Sequence, residues 1–167
     1  MRPPLLLTGP PAAGKSTTAM QLINSAHRGA VVDVDDVRQL VVVGHAAPWE
    51  GDEGRLQQQV GVGNACDLAR RFLSVGIEVI LADVVTPTTA DLYRRRLPNL
   101  QIVQLRLPLG EARRRAQLRS MHLTEQEFED LYALDADGNL RVDHVIDVGH
   151  LDVAAQTEAV GVVWSVD

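Results

Sequence analysis

The feature that most constrains the fold is the stretch GPPAAGKS at residues 9–16, close to the start of the chain. It follows the apolar run PLLLT and precedes a segment with the pattern of a helix. The spacing G-x-x-x-x-G-K-S is typical of a loop whose backbone N–H groups surround phosphate oxygens at a helix N-terminus. Because strand, loop and helix follow in the order that this loop requires, the sequence predicts a phosphate-binding site.

Each part of this loop has an expected role. The glycines let the backbone come close to the phosphates, and the charge of Lys15, the only lysine of the chain, is expected to reach the outer phosphates and assist catalysis. The hydroxyl of Ser16 is expected to bind Mg²⁺. The predicted nucleotide contacts are Gly9, Pro10, Pro11, Ala12, Ala13, Gly14, Lys15, Ser16 and Thr17.

Short apolar runs alternate with helical patterns along the whole chain. Near-continuous apolar runs predict buried parallel strands at 4–8, 30–34, 77–83, 100–107 and 144–148. The segments between them predict helices at 15–26, 36–43, 55–75, 88–96, 110–133 and 152–165. This order predicts an open α/β sheet with right-handed crossovers, and a length of 167 residues fits one domain, 1–167.

Composition limits the partners and the cellular compartment that we expect for this protein. A formal net charge of -6 argues against a nucleic-acid partner, since such proteins usually carry a basic face. The single cysteine, Cys66, excludes an intrachain disulfide framework and suits a reducing cytoplasm, and we expect it in a helix core. No apolar stretch is long enough to span a bilayer, so we expect a cytoplasmic protein without a membrane partner. Nothing in the sequence indicates an oligomeric state.

Three aspartates lie at the end of the second predicted strand and directly after it, where ligands bind in open parallel sheets. If that strand runs to Val34, Asp33 and Asp35 point to the same side. A carboxylate beside a transferable phosphate can orient and deprotonate an acceptor hydroxyl. Asp35 is the expected base, because it lies further toward the carboxyl end of the strand than Asp33 and so nearer the expected γ-phosphate. Asp33 is expected to contact the substrate, although a turn or an exchange of roles stays open. Asp36 is expected to cap the next helix.

A further carboxylate and an irregular segment complete the expected acceptor site. Asp83 ends the run VILAD in the form of a Walker B acid, which predicts contact with Mg²⁺ and substrate. The segment 43–55 contains Trp49 and Arg55, and we expect both to contact the acceptor, because such loops often carry specificity. Packing of Trp49 into the core is the alternative. Arg38 and Arg55 are the only arginines between Asp35 and Arg70, which favours an uncharged or weakly charged acceptor.

Arg115 and Arg119 are four residues apart and so share one helix face. Either this face is simply solvated, or it belongs to a lid at about 113–125. Such a lid would close over the nucleotide and bring both arginines onto the transferring phosphoryl group as catalytic cations.

These motifs together resemble the small P-loop kinases, and within them the chloramphenicol phosphotransferase-like group, with gluconate and shikimate kinases as more distant relatives. The resemblance implies a five-stranded parallel sheet of order 2-3-1-4-5, ATP with Mg²⁺ as the donor, and a loop at 147–152 near the adenine. It places the general base on Asp35, the acid of the third strand on Asp83, and the lid arginines on Arg115 and Arg119.

The sequence therefore predicts transfer of the γ-phosphoryl group of ATP to a hydroxyl of a small molecule, an antibiotic or a metabolite. A nucleotide-sugar or nucleoside kinase is the main alternative. A regulatory GTPase is disfavoured because its guanine-binding Asn-Lys-x-Asp motif needs a second lysine. A motor ATPase is disfavoured because Val84, rather than a glutamate, follows Asp83.

Overall fold

The computed structural model of the protein describes residues 1–118, 123–136 and 139–164. Its strands are β1 (Leu5–Thr8), β2 (Gly29–Asp33), β3 (Glu78–Ala82), β4 (Gln101–Arg106) and β5 (His144–Asp147). They form one parallel sheet of order β2-β3-β1-β4-β5. The predicted α/β domain and its strand order are confirmed.

Helices connect the strands and cover both faces of the sheet. Within the described ranges they are α1 (Lys15–Ile23), α2 (Val34–Arg38), α3 (Gly51–Ser74), α4 (Pro87–Arg96), α5 (Leu109–Gln117), α6 (Glu125–Ala136) and α7 (Val153–Val163). The single helix predicted at 110–133 is wrong, since two helices occupy that range. A reciprocal capping box fixes the start of α6: Glu127 accepts from the N–H of Thr124 at 2.7 Å, and Thr124 Oγ1 accepts from the N–H of Glu127 at 3.2 Å.

Alternate residues of β1 to β4 enter two separate hydrophobic clusters, one on each face of the sheet. Leu6 packs on one face with residues of α2, α3 and α4. Leu5 and Leu7 pack on the other with residues of α1 and α7. Trp164, directly after α7, is fully buried in this second cluster. Burial of both faces explains why β1, β3 and β4 are rich in apolar residues. The expectation of a buried strand at 144–148 is wrong for most of β5: His144, Val145 and Asp147 are exposed, because β5 lies at an edge of the sheet.

The long helix α3 lies against the sheet through small residues. Gly61, Ala65, Cys66 and Ala69 are buried along it, so Cys66 has the core position that the sequence predicts. Burial raises the pKa of its thiol to about 12. Although α3 has 24 residues, none of the helices in the described part of the chain has both the length and the apolar character of a membrane span.

Candidate active site

The phosphate loop joins the end of β1 to the first residue of α1 and is shaped by unusual backbone angles. Gly9 has a φ of +147° and Gly14 a φ of +84°, while Ala12 also has a positive φ, 65°. A Cβ on Gly9 would lie 2.5 Å from the carbonyl oxygen of Leu105 in β4. The first glycine is therefore required by the neighbouring strand as well as by any phosphate.

The double proline limits how the loop can bind an anion. Pro10 and Pro11 are buried and have no N–H, so these two predicted nucleotide contacts do not include a hydrogen bond from the backbone nitrogen. The N–H of Ala13 donates to the carbonyl of Pro10 at 3.3 Å. Backbone donors for phosphate must therefore come from the later part of the loop and the start of α1.

A glutamine that sequence reasoning missed supports the loop from behind. Gln156, on α7, is 3% exposed, and its Nε2 donates to the carbonyl of Ala13 at 2.9 Å and to Thr18 Oγ1 at 2.8 Å. No motif marks this residue, because it lies 143 residues from Ala13 in the chain. Gln156 thus ties the phosphate loop to the last helix.

The side chains of Lys15 and Ser16 lie at the mouth of the loop. Lys15 Nζ donates to the carbonyls of Gly9 at 2.8 Å and Pro10 at 3.0 Å, so the ammonium group lies over the loop. Ser16 is exposed, and its Oγ donates to Asp33 Oδ2 at 2.6 Å. Asp33 is therefore the carboxylate that the fold places beside the predicted Mg²⁺ ligand Ser16.

The three aspartates after β2 differ from expectation in their local structure. The strand ends at Asp33, and α2 begins at Val34, so strand alternation does not relate Asp33 to Asp35. Asp33, not Asp36, is the N-cap: its Oδ1 accepts from the N–H of Asp35 at 3.1 Å. The expected cap at Asp36 is wrong because the helix starts two residues earlier, and Asp36 is exposed in its first turn.

Even so, the fold brings the main predicted groups together. Lys15, Ser16, Asp33 and Asp35 line one cavity of about 200 Å³. Its other walls come from the phosphate loop, from the end of β3 and the residues after it, and from α6 and the residues before it: Pro11, Ala12, Gly14, Ala82, Val84, Leu123 and Leu131. The side chains that line this cavity thus include a cation, a hydroxyl and two carboxylates, which are groups that can take part in phosphoryl transfer.

Asp83 lies apart from the lining of this cavity, in a buried cluster. Its Oδ1 accepts from Arg38 Nη2 at 2.7 Å, and its Oδ2 accepts from the hydroxyl of Tyr93 at 2.8 Å. Burial raises the pKa of Asp83, while Arg38 acts against that rise. Burial lowers the pKa of Arg38, but Asp83 and Asp35 outweigh it, so the pKa of the guanidinium is raised. Asp33, and not Asp83, contacts Ser16 and lines the cavity, so the predicted contact of Asp83 with Mg²⁺ stays a prediction.

Arg115 is placed at the loop that follows β5. Its Nη2 donates to the carbonyls of Val148 at 2.8 Å and Leu151 at 3.2 Å, and its Nε donates to Glu111 at 2.9 Å. With Gly14, Thr17, Gln156 and other residues it lines a cavity of about 360 Å³. Arg119 and the middle of the predicted lid at 113–125 lie outside the described residues, so the lid stays a prediction.

Trp49 and Arg55 lie on the segment before α3 and at its start. Trp49 is partly exposed, and Arg55 is exposed and paired with Asp52. The segment is tied to α3 by Gln57, which accepts from the N–H of Ala46 at 2.9 Å and donates to the carbonyl of Gly44 at 2.7 Å. Neither Trp49 nor Arg55 is among the residues that line the cavity beside Asp35, and their acceptor contacts stay predictions.

Comparison with known proteins identifies the class of fold. No protein-family model matches the chain, and no curated protein matches it. A sugar kinase from Janibacter sp. HTCC2649 is similar in structure, with a TM-score of 0.76 and 15% identity over 98% of this chain and 94% of that one. Shikimate kinase from Bacteroides thetaiotaomicron has a TM-score of 0.71 and 14% identity over 98% of each chain.

The tunicamycin resistance protein of Deinococcus radiodurans is also similar, with a TM-score of 0.70 and 16% identity over 100% of this chain and 98% of that one. Each match spans nearly the full length of both proteins, so the likeness concerns the whole architecture. Together with the phosphate loop, it defines the fold of this chain as that of the P-loop kinases.

Proposed function

We propose that the protein is a kinase that transfers the γ-phosphoryl group of ATP to a hydroxyl group of a small molecule. The observation that carries this proposal is the single cavity lined by Lys15, Ser16, Asp33 and Asp35. Similar structures described as sugar kinase, shikimate kinase and tunicamycin resistance protein support a small acceptor.

In this proposal Asp35 is the general base. Its side chain is 67% exposed, and Arg38 donates to its Oδ1 at 2.6 Å. We assign Oδ2 to the acceptor hydroxyl, which gives its proton to the carboxylate while its oxygen bonds to the γ-phosphorus and ADP leaves. Lys15 would stabilise the negative charge of the transferring group from the other side of the cavity.

The oxygen groups present fit Mg²⁺. Magnesium is usually held by one or two protein oxygens together with water and substrate phosphates. Ser16 Oγ and Asp33, whose oxygens are 2.6 Å apart, supply such a pair. In the described part of the chain no three His, Cys, Asp or Glu side chains gather into a metal site, so most ligands would come from the nucleotide and water. When bound, the ion would neutralise charge on the phosphates.

The cavity of about 360 Å³ between the phosphate loop, α5 and α7 is proposed for the adenosine part of ATP. It adjoins Gly14 and Thr17, so a nucleotide there would place its phosphates at the loop. Arg115 shapes this cavity by holding the carbonyls of Val148 and Leu151. A catalytic role for Arg115 and Arg119 would need closure of the proposed lid over the phosphates.

The charges near Asp35 favour an uncharged acceptor. Arg38 is 9% exposed and paired with two carboxylates, and Arg55 is paired with Asp52. An acceptor with a carboxylate or phosphate would meet Asp33 and Asp35 without a described arginine available in this region to balance its charge. We therefore propose a neutral hydroxyl compound, either an antibiotic or a metabolite. The chloramphenicol phosphotransferase-like group is our proposed placement within the P-loop kinases.

The direct test measures ATP consumption with a panel of neutral hydroxyl compounds, hydroxy acids and nucleoside monophosphates. With an active acceptor, Asp35→Asn should lower kcat by about 10²–10⁴-fold and leave the KM for ATP nearly unchanged. Asp36→Asn is the matched control, because Asp36 is the exposed neighbour in the same helical turn. A firm preference for GTP, or equal losses in the two variants, would contradict the proposal.

A further inference from the structure

We propose that Arg38, Asp83 and Tyr93 form a buried support that holds Asp35 in its catalytic position. In this assignment Arg38 is a positioning residue and Asp83 is its anchor rather than a metal ligand. The inference rests on the proposed function, because it concerns the base of that reaction.

One nitrogen of Arg38 joins the buried support to the exposed base. Nη2 lies 2.6 Å from Asp35 Oδ1 and 2.7 Å from Asp83 Oδ1. The side chains of Arg38 and Asp83 are 9% and 1% exposed, whereas that of Asp35 is 67% exposed. The rigid interior of the protein is thereby connected by two short charged hydrogen bonds to the carboxylate that must meet the acceptor.

The anchor is itself fixed from several directions. Tyr93, fully buried on α4, donates to Asp83 Oδ2 at 2.8 Å, and the N–H of Val84 donates to Oδ1 at 2.8 Å. Arg38 Nη1 also approaches Asp83 Oδ2, at 3.5 Å. A buried carboxylate held by a guanidinium, a phenol and a backbone N–H has little freedom to turn. Asp83 can therefore fix the guanidinium plane that Asp35 contacts.

The helix α3 leaves room for this arrangement through a glycine. A Cβ on Gly61 would lie 2.6 Å from Arg38 Cγ and 3.3 Å from Arg38 Cδ. Any larger residue at this position must displace the Arg38 side chain, although it touches none of the charged atoms. Gly61→Ala therefore tests the position of Arg38 without removing any ionisable group of the site.

The chain also offers a matched control. Gly63 is buried on the same helix, and a Cβ there would have its nearest neighbours at 3.6 Å, on the guanidinium of Arg96. This is an ordinary van der Waals distance. Gly63→Ala thus repeats the same chemical change on α3 without contact to Arg38.

The experiment uses the whole chain and two probes. The first is a non-hydrolysable ATP analogue together with Mg²⁺; the second is ATP together with Mg²⁺, with water as the phosphoryl acceptor. Calorimetry measures analogue binding and its Mg²⁺ dependence, and single-turnover assays measure ATP hydrolysis. Crystal structures of the parent and of Gly61→Ala report the distance from Arg38 to Asp35. Tyr93→Phe, which removes only a hydroxyl, is a milder variant should Asp83→Asn fail to fold.

We expect Gly61→Ala and Asp83→Asn to lower the hydrolysis rate by about 10-fold or more, since small displacements of catalytic groups cost up to ~10²-fold. Analogue binding and its Mg²⁺ dependence should stay within about twofold in both, and Gly63→Ala should match the parent throughout. Asp33→Asn should instead raise the Mg²⁺ concentration needed for binding by about 10-fold or more. In the Gly61→Ala crystal, Arg38 should no longer hydrogen-bond to Asp35.

Two results would overturn the inference. The first is a loss of Mg²⁺-dependent binding in Asp83→Asn as large as that in Asp33→Asn, which would make Asp83 a metal ligand. The second is a hydrolysis rate within about twofold of the parent in Gly61→Ala when its crystal structure shows that the Arg38–Asp35 hydrogen bond is broken, since catalysis would then not depend on this contact. If the parent protein binds no ATP analogue with Mg²⁺, the proposed function fails instead, and this outcome is distinguishable from the other two.

Discussion

Replacing Gly9 by alanine should destabilise the protein much more than the same replacement at Gly44. Both glycines have positive φ values, +147° and +75°, where an alanine is strained. That strain costs about 1–2 kcal/mol at Gly44, and nothing else lies within 4 Å of a Cβ there. At Gly9 the backbone strain of an alanine costs about 1–3 kcal/mol, and a steric cost is added to it.

The second cost at Gly9 comes from β4. The Cβ of an alanine at position 9 would lie 2.5 Å from the carbonyl oxygen of Leu105 and 3.3 Å from Leu105 Cβ. Because β4 is paired on both sides, with β1 and β5, it cannot withdraw without disturbing the sheet. Overpacking of this kind adds about 1–3 kcal/mol. The total is about 2–6 kcal/mol for Gly9→Ala, against about 1–2 kcal/mol for Gly44→Ala.

Thermal and urea unfolding, followed by circular dichroism, measure this difference. For a chain of this size each 1 kcal/mol lowers the Tm by about 2–4 °C, so the Tm should fall by about 4–24 °C for Gly9→Ala and about 2–8 °C for Gly44→Ala. The urea m-value should stay unchanged, since both native states remain compact. Free energies of unfolding that agree within about 0.5 kcal/mol for the two variants would refute the reasoning.

Three further predictions concern single side chains. Lys15→Met should lower the rate of phosphoryl transfer by about 10²-fold or more at saturating ATP, while circular dichroism shows a folded protein; a rate within about twofold of the parent would contradict it. Trp49→Ala should raise the acceptor KM more than the ATP KM, and equal rises would favour a packing role. Burial raises the pKa of the Cys66 thiol to about 12, so this thiol should react with a thiol reagent at pH 8 only after unfolding in urea. Fast labelling of the native protein would count against the buried position.

The strands were predictable because a parallel sheet covered on both faces leaves a simple pattern. Leu5, Leu6 and Leu7 are all fully buried although they face opposite sides, so an unbroken apolar run is enough to reveal β1. The phosphate loop was predictable for a related reason: its spacing is local, and its positive φ values fall at Gly9, Ala12 and Gly14, close together in the chain. Its contacts with Leu105 and Gln156 come from distant parts of the chain and were not predictable. The strand order came from the resemblance to P-loop kinases, not from these patterns.

Features that depend on distant contacts were not predictable from the sequence. The Ser16–Asp33 hydrogen bond joins residues 17 apart, and the Arg38–Asp83 pair joins residues 45 apart. A carboxylate at a strand end looks the same in sequence whether it faces a cavity or a buried arginine. Asp36 was misplaced for a local reason: Asp33 already accepts the N–H of Asp35, so the helix starts before the residue that the sequence favours as its cap.

The two tryptophans of the chain have contrasting surroundings, and this gives the protein a built-in optical reporter. Trp164 is fully buried, its Nε1 donates to the carbonyl of Pro3 at 2.8 Å, and the guanidinium of Arg2 lies 3.8 Å from its ring centroid. Trp49 is partly exposed on the segment between α2 and α3. Emission from Trp164 should therefore follow global unfolding, while emission from Trp49 should respond to events near that segment. A Trp164→Phe variant would leave Trp49 as the single emitter, so that acceptor binding could be followed without a label.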